Sequence, residues 1–146
     1  MINKIKEASQ FIKNEFPSEI QSAIILGSGM GGFEKTFTPL KSFDYSEIPH
    51  FIKPSVEGHS GTLTFVEIKD KVTAILSGRA HYYEGYNIQD IVLPTRVLSD
   101  LSIKNLVITN AAGGVNSNYS PGDIVAIKDH INSVSYTHLT LPTTVF

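Results

Sequence analysis

Three features of this 146-residue sequence predict an α/β fold, a mixed β-sheet flanked by helices. Two short apolar runs, Ser22-Ala-Ile-Ile-Leu26 and the stretch from Asn105 to Thr109, lack polar alternation, as expected of strands buried on both faces. Residues 62–69 and 72–77 flank Asp70-Lys71 in the arrangement of a hairpin. In two other stretches apolar residues return every three to four positions, which marks helices. The length is that of one ordinary domain, and no internal repeat is visible.

The first helix is read from Ile5, Ala8, Ile12 and Phe16, with Lys4, Lys6, Glu7, Lys13 and Glu15 elsewhere on the wheel and Pro17 as its stop. The strand Ser22 to Leu26 runs straight into Gly27-Ser28-Gly29-Met30-Gly31-Gly32. Residues 33–61 contain Pro39, Pro49 and Pro54 and show no regular period, so they are expected to be a long functional loop. After the hairpin, residues 78–85 read as a loop. Ile88, Ile91, Val92, Thr95, Leu98 and Leu101 mark a second helix face, with Asn87 as N-cap and Pro94 kinking the helix or opening a new first turn. The strand from Asn105 ends in Asn110-Ala111-Ala112-Gly113-Gly114, and Pro121-Gly122 turns into an expected last strand over residues 123–128. Residues 133–146, SVSYTHLTLPTTVF, carry no charge and no helical period. They read either as a β-rich tail or, preferably, as sequence foreign to the domain.

Composition closes several functional classes. Twelve basic against fourteen acidic residues leave a net charge of -2, which supplies no global attraction for nucleic acid or an anionic membrane. Without cysteine there are no disulfides, thiolate zinc sites or cysteine nucleophile. No HExxH or comparable metal-ligand spacing occurs, so no metal is expected. The longest apolar run, Ala23 to Leu26, falls far short of a bilayer span, and charges stand where a signal peptide's apolar core would begin. A cytoplasmic location is the expectation.

The chemistry is expected at the glycine-rich turns. Turns at strand ends let backbone N–H groups converge on an anion. Ser28 adds a hydroxyl, Arg79 a permanent forked cation, and His81 a further donor that Glu84 can orient. Each has an ordinary alternative: Ser28 as a turn serine, Arg79 as a surface cation, His59 as an exposed loop histidine, and Tyr82, Tyr83 and Tyr86 as core or interface aromatics. Gly27, Gly29 and Gly32 also satisfy a dinucleotide-binding pattern, but no helical period follows them, which disfavours a dinucleotide-dependent oxidoreductase.

In order, the strings GSGMGG, GHSG, GRAHYYEGY and TNAAGGVN closely resemble purine nucleoside phosphorylases of the trimeric type over residues 1–132. The related methylthioadenosine phosphorylases lack the tyrosine-glutamate continuation, and the hexameric bacterial enzymes look dissimilar in these loops. The resemblance implies a nucleoside phosphorylase-like sheet and reversible phosphorolysis of purine (deoxy)ribonucleosides to free base and (deoxy)ribose 1-phosphate. It implies phosphate contacts from Ser28, Arg79, His81 and the Ala111 N–H, with Asn110 shaping the pocket. His59 would lie near phosphate and ribose, Tyr83 would bond the ribose, and His81 with Glu84 would form the catalytic pair. Inorganic phosphate is then a co-substrate, no cofactor is needed, and the partners are a purine nucleoside and, in a homotrimer, further copies. The family's purine-gripping residues lie beyond this chain, so residues 1–132 are expected to be the N-terminal part of a single phosphorylase domain. The sheet is accordingly expected to be incomplete, with exposed strand edges and poor solubility. The alternative is a non-catalytic phosphate- or nucleotide-binding fragment lacking the purine half of the site.

Overall fold

A computed structural model of the chain describes residues 1–53 and 61–131. His59 and the tail 133–146 lie outside the described residues. Residues 1–111 form one unit and 112–146 another.

The first unit is built on a five-stranded mixed sheet in the order β2-β3-β4-β1-β5. Helix α1 spans Ile2–Glu15, and its chain leaves helical geometry at Phe16, the residue before Pro17. Strand β1, Ser22–Leu26, lies between β4, Lys71–Ser77, and β5, Asn105–Ile108, and runs parallel to both. Strand β3, Thr62–Ile68, makes the expected hairpin with β4, turned by Lys69 and Asp70 at positive φ. Helix α2, Ile88–Ile91, is capped by the Asn87 side chain accepting from the Gln89 N–H at 2.9 Å. Helix α3, Leu93–Asp100, restarts with Pro94 in its first turn, where a missing N–H costs nothing.

Side chains alternate along the strands and divide the core between two faces. On one face Ala23, Ile25, Leu63, Phe65 and Leu76 pack with Ala8 and Ile12 of α1 and with Leu93, Val97 and Leu98 of α3. The Phe16 ring stacks on Phe65 at 4.3 Å. On the other, Leu26, Val66 and Ile75 are covered by Met30, Phe33 and Phe37, which leave the glycine turn after β1. Asp100 joins α1 to α3: it accepts from Lys6 Nζ at 2.7 Å and from Ser9 Oγ at 2.6 Å, and these bonds hold its carboxyl below the usual aspartate range.

Three expectations need correction. The segment 33–61 is not loop throughout: Pro39–Asp44 forms β2, an edge strand antiparallel to β3 with an irregularity between Pro39 and Lys41. Proline is tolerated there because the outer edge needs no ladder donor. The Asn105 strand is not buried, since among the described residues β5 pairs with β1 alone and Val107 is 53% exposed. Residues 123–128 form no strand, since among the described residues no ladder bond is made there. Within the second unit, local turns dominate, including Tyr119 N–H to the Asn116 carbonyl and Asp123 N–H to the Ser120 carbonyl.

The ends of β1 and β5 are locked by contact without room to spare. Gly27 N–H donates to Thr109 Oγ1 at 2.8 Å, and Thr109 N–H donates to the Ile25 carbonyl at 3.0 Å. A Cβ on Gly27 would stand 2.2 Å from the Thr109 carbonyl oxygen.

Gly27→Ala therefore lowers stability by at least about 2 kcal/mol, read from urea denaturation, because backbone must move to admit the methyl. Asp100→Asn costs about 1 kcal/mol at pH 7. The Asp100 carboxyl titrates lower when folded than unfolded, so its contribution is full at neutral pH and is lost as pH falls through the folded value. The difference from the unaltered chain then closes in acid, as paired urea titrations at neutral and acid pH will show. Exposed Leu106, Val107 and Ile108 on an edge that no described strand pairs are expected to make the chain self-associate at micromolar concentrations, and Val107→Lys should reduce this in sedimentation velocity.

Candidate functional site

Parallel pairing brings Gly27-Ser28, Gly78-Arg79 and Asn110-Ala111 to one end of the sheet. Leu26 stands opposite Ser77, and Ile25 opposite Ile108, so β4, β1 and β5 finish side by side. Gly78-Arg79, Gly27-Ser28 and Asn110-Ala111 follow directly from these carboxyl ends, the place where open α/β sheets take their ligands.

The turn after β1 consists of two linked reversals, Met30 N–H to the Gly27 carbonyl and Phe33 N–H to the Met30 carbonyl, both at 3.2 Å. Gly29 and Gly32 occupy their third positions with φ near +84° and +88°, a region that penalises a side chain. Ser28 is left exposed at the crest. The chain continues into a four-residue 3-10 turn, Phe33–Thr36, and not a helix. A dinucleotide site lacks the helix N-terminus it would need here.

After β4 the chain passes through Gly78 at φ +100° into Arg79. Arg79 is half-buried, and its Nε is enclosed without a hydrogen-bond partner among the described residues. An enclosed guanidinium N–H without an acceptor is costly, and an anion at the strand ends would relieve that cost. Further on, Glu84 Oε1 accepts from the His81 backbone N–H at 2.6 Å and faces His81 Nδ1 at 3.0 Å. The same two residues frame the short 3-10 turn Tyr82–Glu84, closed by Gly85 at φ +86°. With the proton on Nδ1 directed to the carboxylate, Nε2 is the ring's remaining polar atom. Tyr83 stacks on the His81 ring at 5.0 Å and is otherwise exposed, as is Tyr82; neither belongs to the core.

Ser28, Arg79, His81, Glu84, Tyr83, Asn110 and Ala111 thus follow strand ends or lie in the loop leaving β4 at this end of the sheet, while His59 lies outside the described residues. His50 is elsewhere, at φ +67° with Nε2 2.6 Å from Glu7 Oε2. Among the described residues, no group of three His, Asp or Glu side chains is placed to hold a metal. No described helix is long and apolar enough to cross a membrane.

Two residues near the site escape a reading by sequence period. Thr109 looks like the last residue of a strand, but its hydroxyl is the acceptor for Gly27. Tyr45 lies in a segment without period, although Asp44 and Glu47 have the spacing of a capping box, which the structure contains.

The family model of the Phosphorylase superfamily matches residues 22–145. Purine nucleoside phosphorylase 1 of Geobacillus stearothermophilus is 42% identical over 130 residues, 89% of this chain and 47% of that protein. The Bos taurus purine nucleoside phosphorylase is 41% identical over 127 residues, 87% of this chain and 44% of its own length. Among solved structures, isoform 2 of the Schistosoma mansoni purine nucleoside phosphorylase, in complex with cytosine and ribose-1-phosphate, aligns with a TM-score of 0.74 at 36% identity. That match covers 83% of this chain and 42% of the other. The chain spans a little under half the length of the curated relatives it matches first. From the shared fold and the extent of the family match, this chain belongs to the phosphorylase superfamily.

Proposed function

We propose that the chain carries the phosphate-binding part of an enzyme for reversible phosphorolysis of purine (deoxy)ribonucleosides. One observation supports this most directly: three turns at adjacent strand ends bear Ser28, Arg79 and Asn110-Ala111, and the His81–Glu84 pair lies in the loop that Arg79 opens. In a protein of net charge -2, an anion has to be held by such local donors. Ser28, Arg79, His81 and the Ala111 N–H bind phosphate, Asn110 shapes the pocket, and His59 and Tyr83 attend the ribose.

The chemistry asks little of the protein in covalent terms. A phosphate oxygen attacks C1′, the C1′–N bond breaks, and the purine leaves with the electron pair and takes up a proton. Rate enhancement comes from holding the dianion under the sugar and stabilising an oxocarbenium-like transition state. Glu84 keeps His81 oriented for that task. The purine grip belongs to sequence outside the four strings described. Cytoplasmic purine salvage by a homotrimer completes this reading. The alternative, phosphate binding without catalysis, draws support from the chain spanning under half the length of its relatives.

Isothermal titration of inorganic phosphate into the 146-residue chain tests the proposal. Saturable binding is expected, and Arg79→Gln weakens it at least about tenfold, the size of a lost charge-assisted contact. Absence of binding overturns the reading. Phosphate-dependent release of hypoxanthine from inosine separates the enzyme from the binding-only alternative.

A further inference from the structure

We propose that Tyr45 is a positioning residue for the anion loop: its hydroxyl holds the Gly78 carbonyl and thereby sets the direction in which Arg79 leaves β4. The inference rests on the phosphate reading above and extends it to a residue that stands outside all four motif strings.

Tyr45 is 3% exposed, and its Oη donates to the Gly78 carbonyl at 3.0 Å. Its backbone N–H donates to the Gly61 carbonyl at 2.7 Å. One residue therefore ties the end of the GHSG string to the start of the GRAHYYEGY string. Burial pushes the Tyr45 hydroxyl well above the usual phenol range, so it remains a neutral donor throughout the working range of pH.

The post that carries Tyr45 is itself rigid. Asp44 accepts from the Ser46 N–H and hydroxyl at 2.9 and 2.6 Å, Glu47 accepts from the Asp44 N–H at 2.6 Å, and Lys53 reaches Asp44 at 2.8 Å. The ring meets Phe51 edge-on at 5.3 Å. The loop it holds is not supported by close packing from the same side. Gly78, Arg79 and Ala80 border a cavity of about 70 Å³ together with Tyr45, Ile91 and Pro94. Gly78 has φ +100°, a region open to several glycine conformations, so a specific hydrogen bond is what selects one. Where packing leaves space, direction has to come from the bond.

The test compares phosphate binding and melting of the unaltered 146-residue chain with Tyr45→Phe, which keeps the ring and its contact with Phe51. Tyr45→Phe is expected to weaken phosphate binding about fivefold, the effect of one lost neutral hydrogen bond. Ser42→Ala is the comparator: it removes a hydroxyl contact to Thr64 of 3.0 Å in the β2–β3 pair and should lower the melting temperature while leaving phosphate affinity within about twofold. Substituting 4-aminophenylalanine at position 45 retains a donor at the ring's far end and should restore binding. Unchanged affinity in Tyr45→Phe, equal losses in the two variants, or a Tyr45→Phe chain that no longer folds each overturns the inference. If the unaltered chain does not bind phosphate, the phosphate reading falls first and the role of Tyr45 falls with it.

Discussion

The close approach of Gly27 to Thr109 is the constraint on which the rest of the sheet end depends. Parallel strands whose side chains stand on alternate faces can be packed in several ways, but at this junction the chains can close up only because Gly27 has no Cβ to interpose. At Gly27 the clearance to the Thr109 carbonyl would be 2.2 Å for any larger residue. The Thr109 hydroxyl then takes the Gly27 N–H and also lies 3.3 Å from the Ile25 carbonyl, so the junction satisfies its own polar groups. From that junction, the turns bearing Ser28 and Asn110 are neighbours by necessity, and β4 delivers Arg79 on the other side of β1.

Once the turns are neighbours, the electrostatic problem has a local solution. A chain with a slight excess of acid repels anions at long range, and screening confines useful attraction to a Debye length. Arg79 contributes a forked cation, whereas His81 contributes a ring nitrogen whose direction Glu84 sets. The Glu84 carboxylate, 3.0 Å from Nδ1, fixes the orientation of the ring. Glu84 also bonds the His81 backbone N–H, so one carboxylate organises the turn and the ring together.

What could be read in the sequence followed the strength of the local signal. The hairpin, the Asn87 cap and the restart at Pro94 were legible because each depends on chemistry within a few residues. Ser22 to Leu26 was legible because a strand in the centre of a sheet has no solvent face and so loses its polar alternation. By the same logic Asn105 to Ile108 reads as central, but burial is a property of what lies against a strand, and among the described residues β5 has a neighbour on one side only. β2 was hidden by its prolines, since an edge strand needs few apolar residues; Phe43 is buried while Leu40 is 50% exposed. Of the candidate site, the residue types and turns were visible, but their meeting was not: it depends on β1 pairing with strands 50 and 80 residues away, which no local period encodes.

The division of labour between glycine and the residues behind it explains why so much of the irregular segment 33–53 is ordered. Glycine turns give an anion access to backbone N–H groups, but the freedom that permits the approach also permits many other conformations. A binding turn has to be selected from outside itself. After β1 the selection is made by Phe33 and Phe37, which pack onto the sheet and pull the turn closed. After β5 it is made by Thr109. After β4 it falls to Tyr45, because there the chain borders a cavity and aliphatic packing cannot do it. The stretch without period is therefore structural support for the turns on either side of it, and its irregularity follows from serving two of them at once.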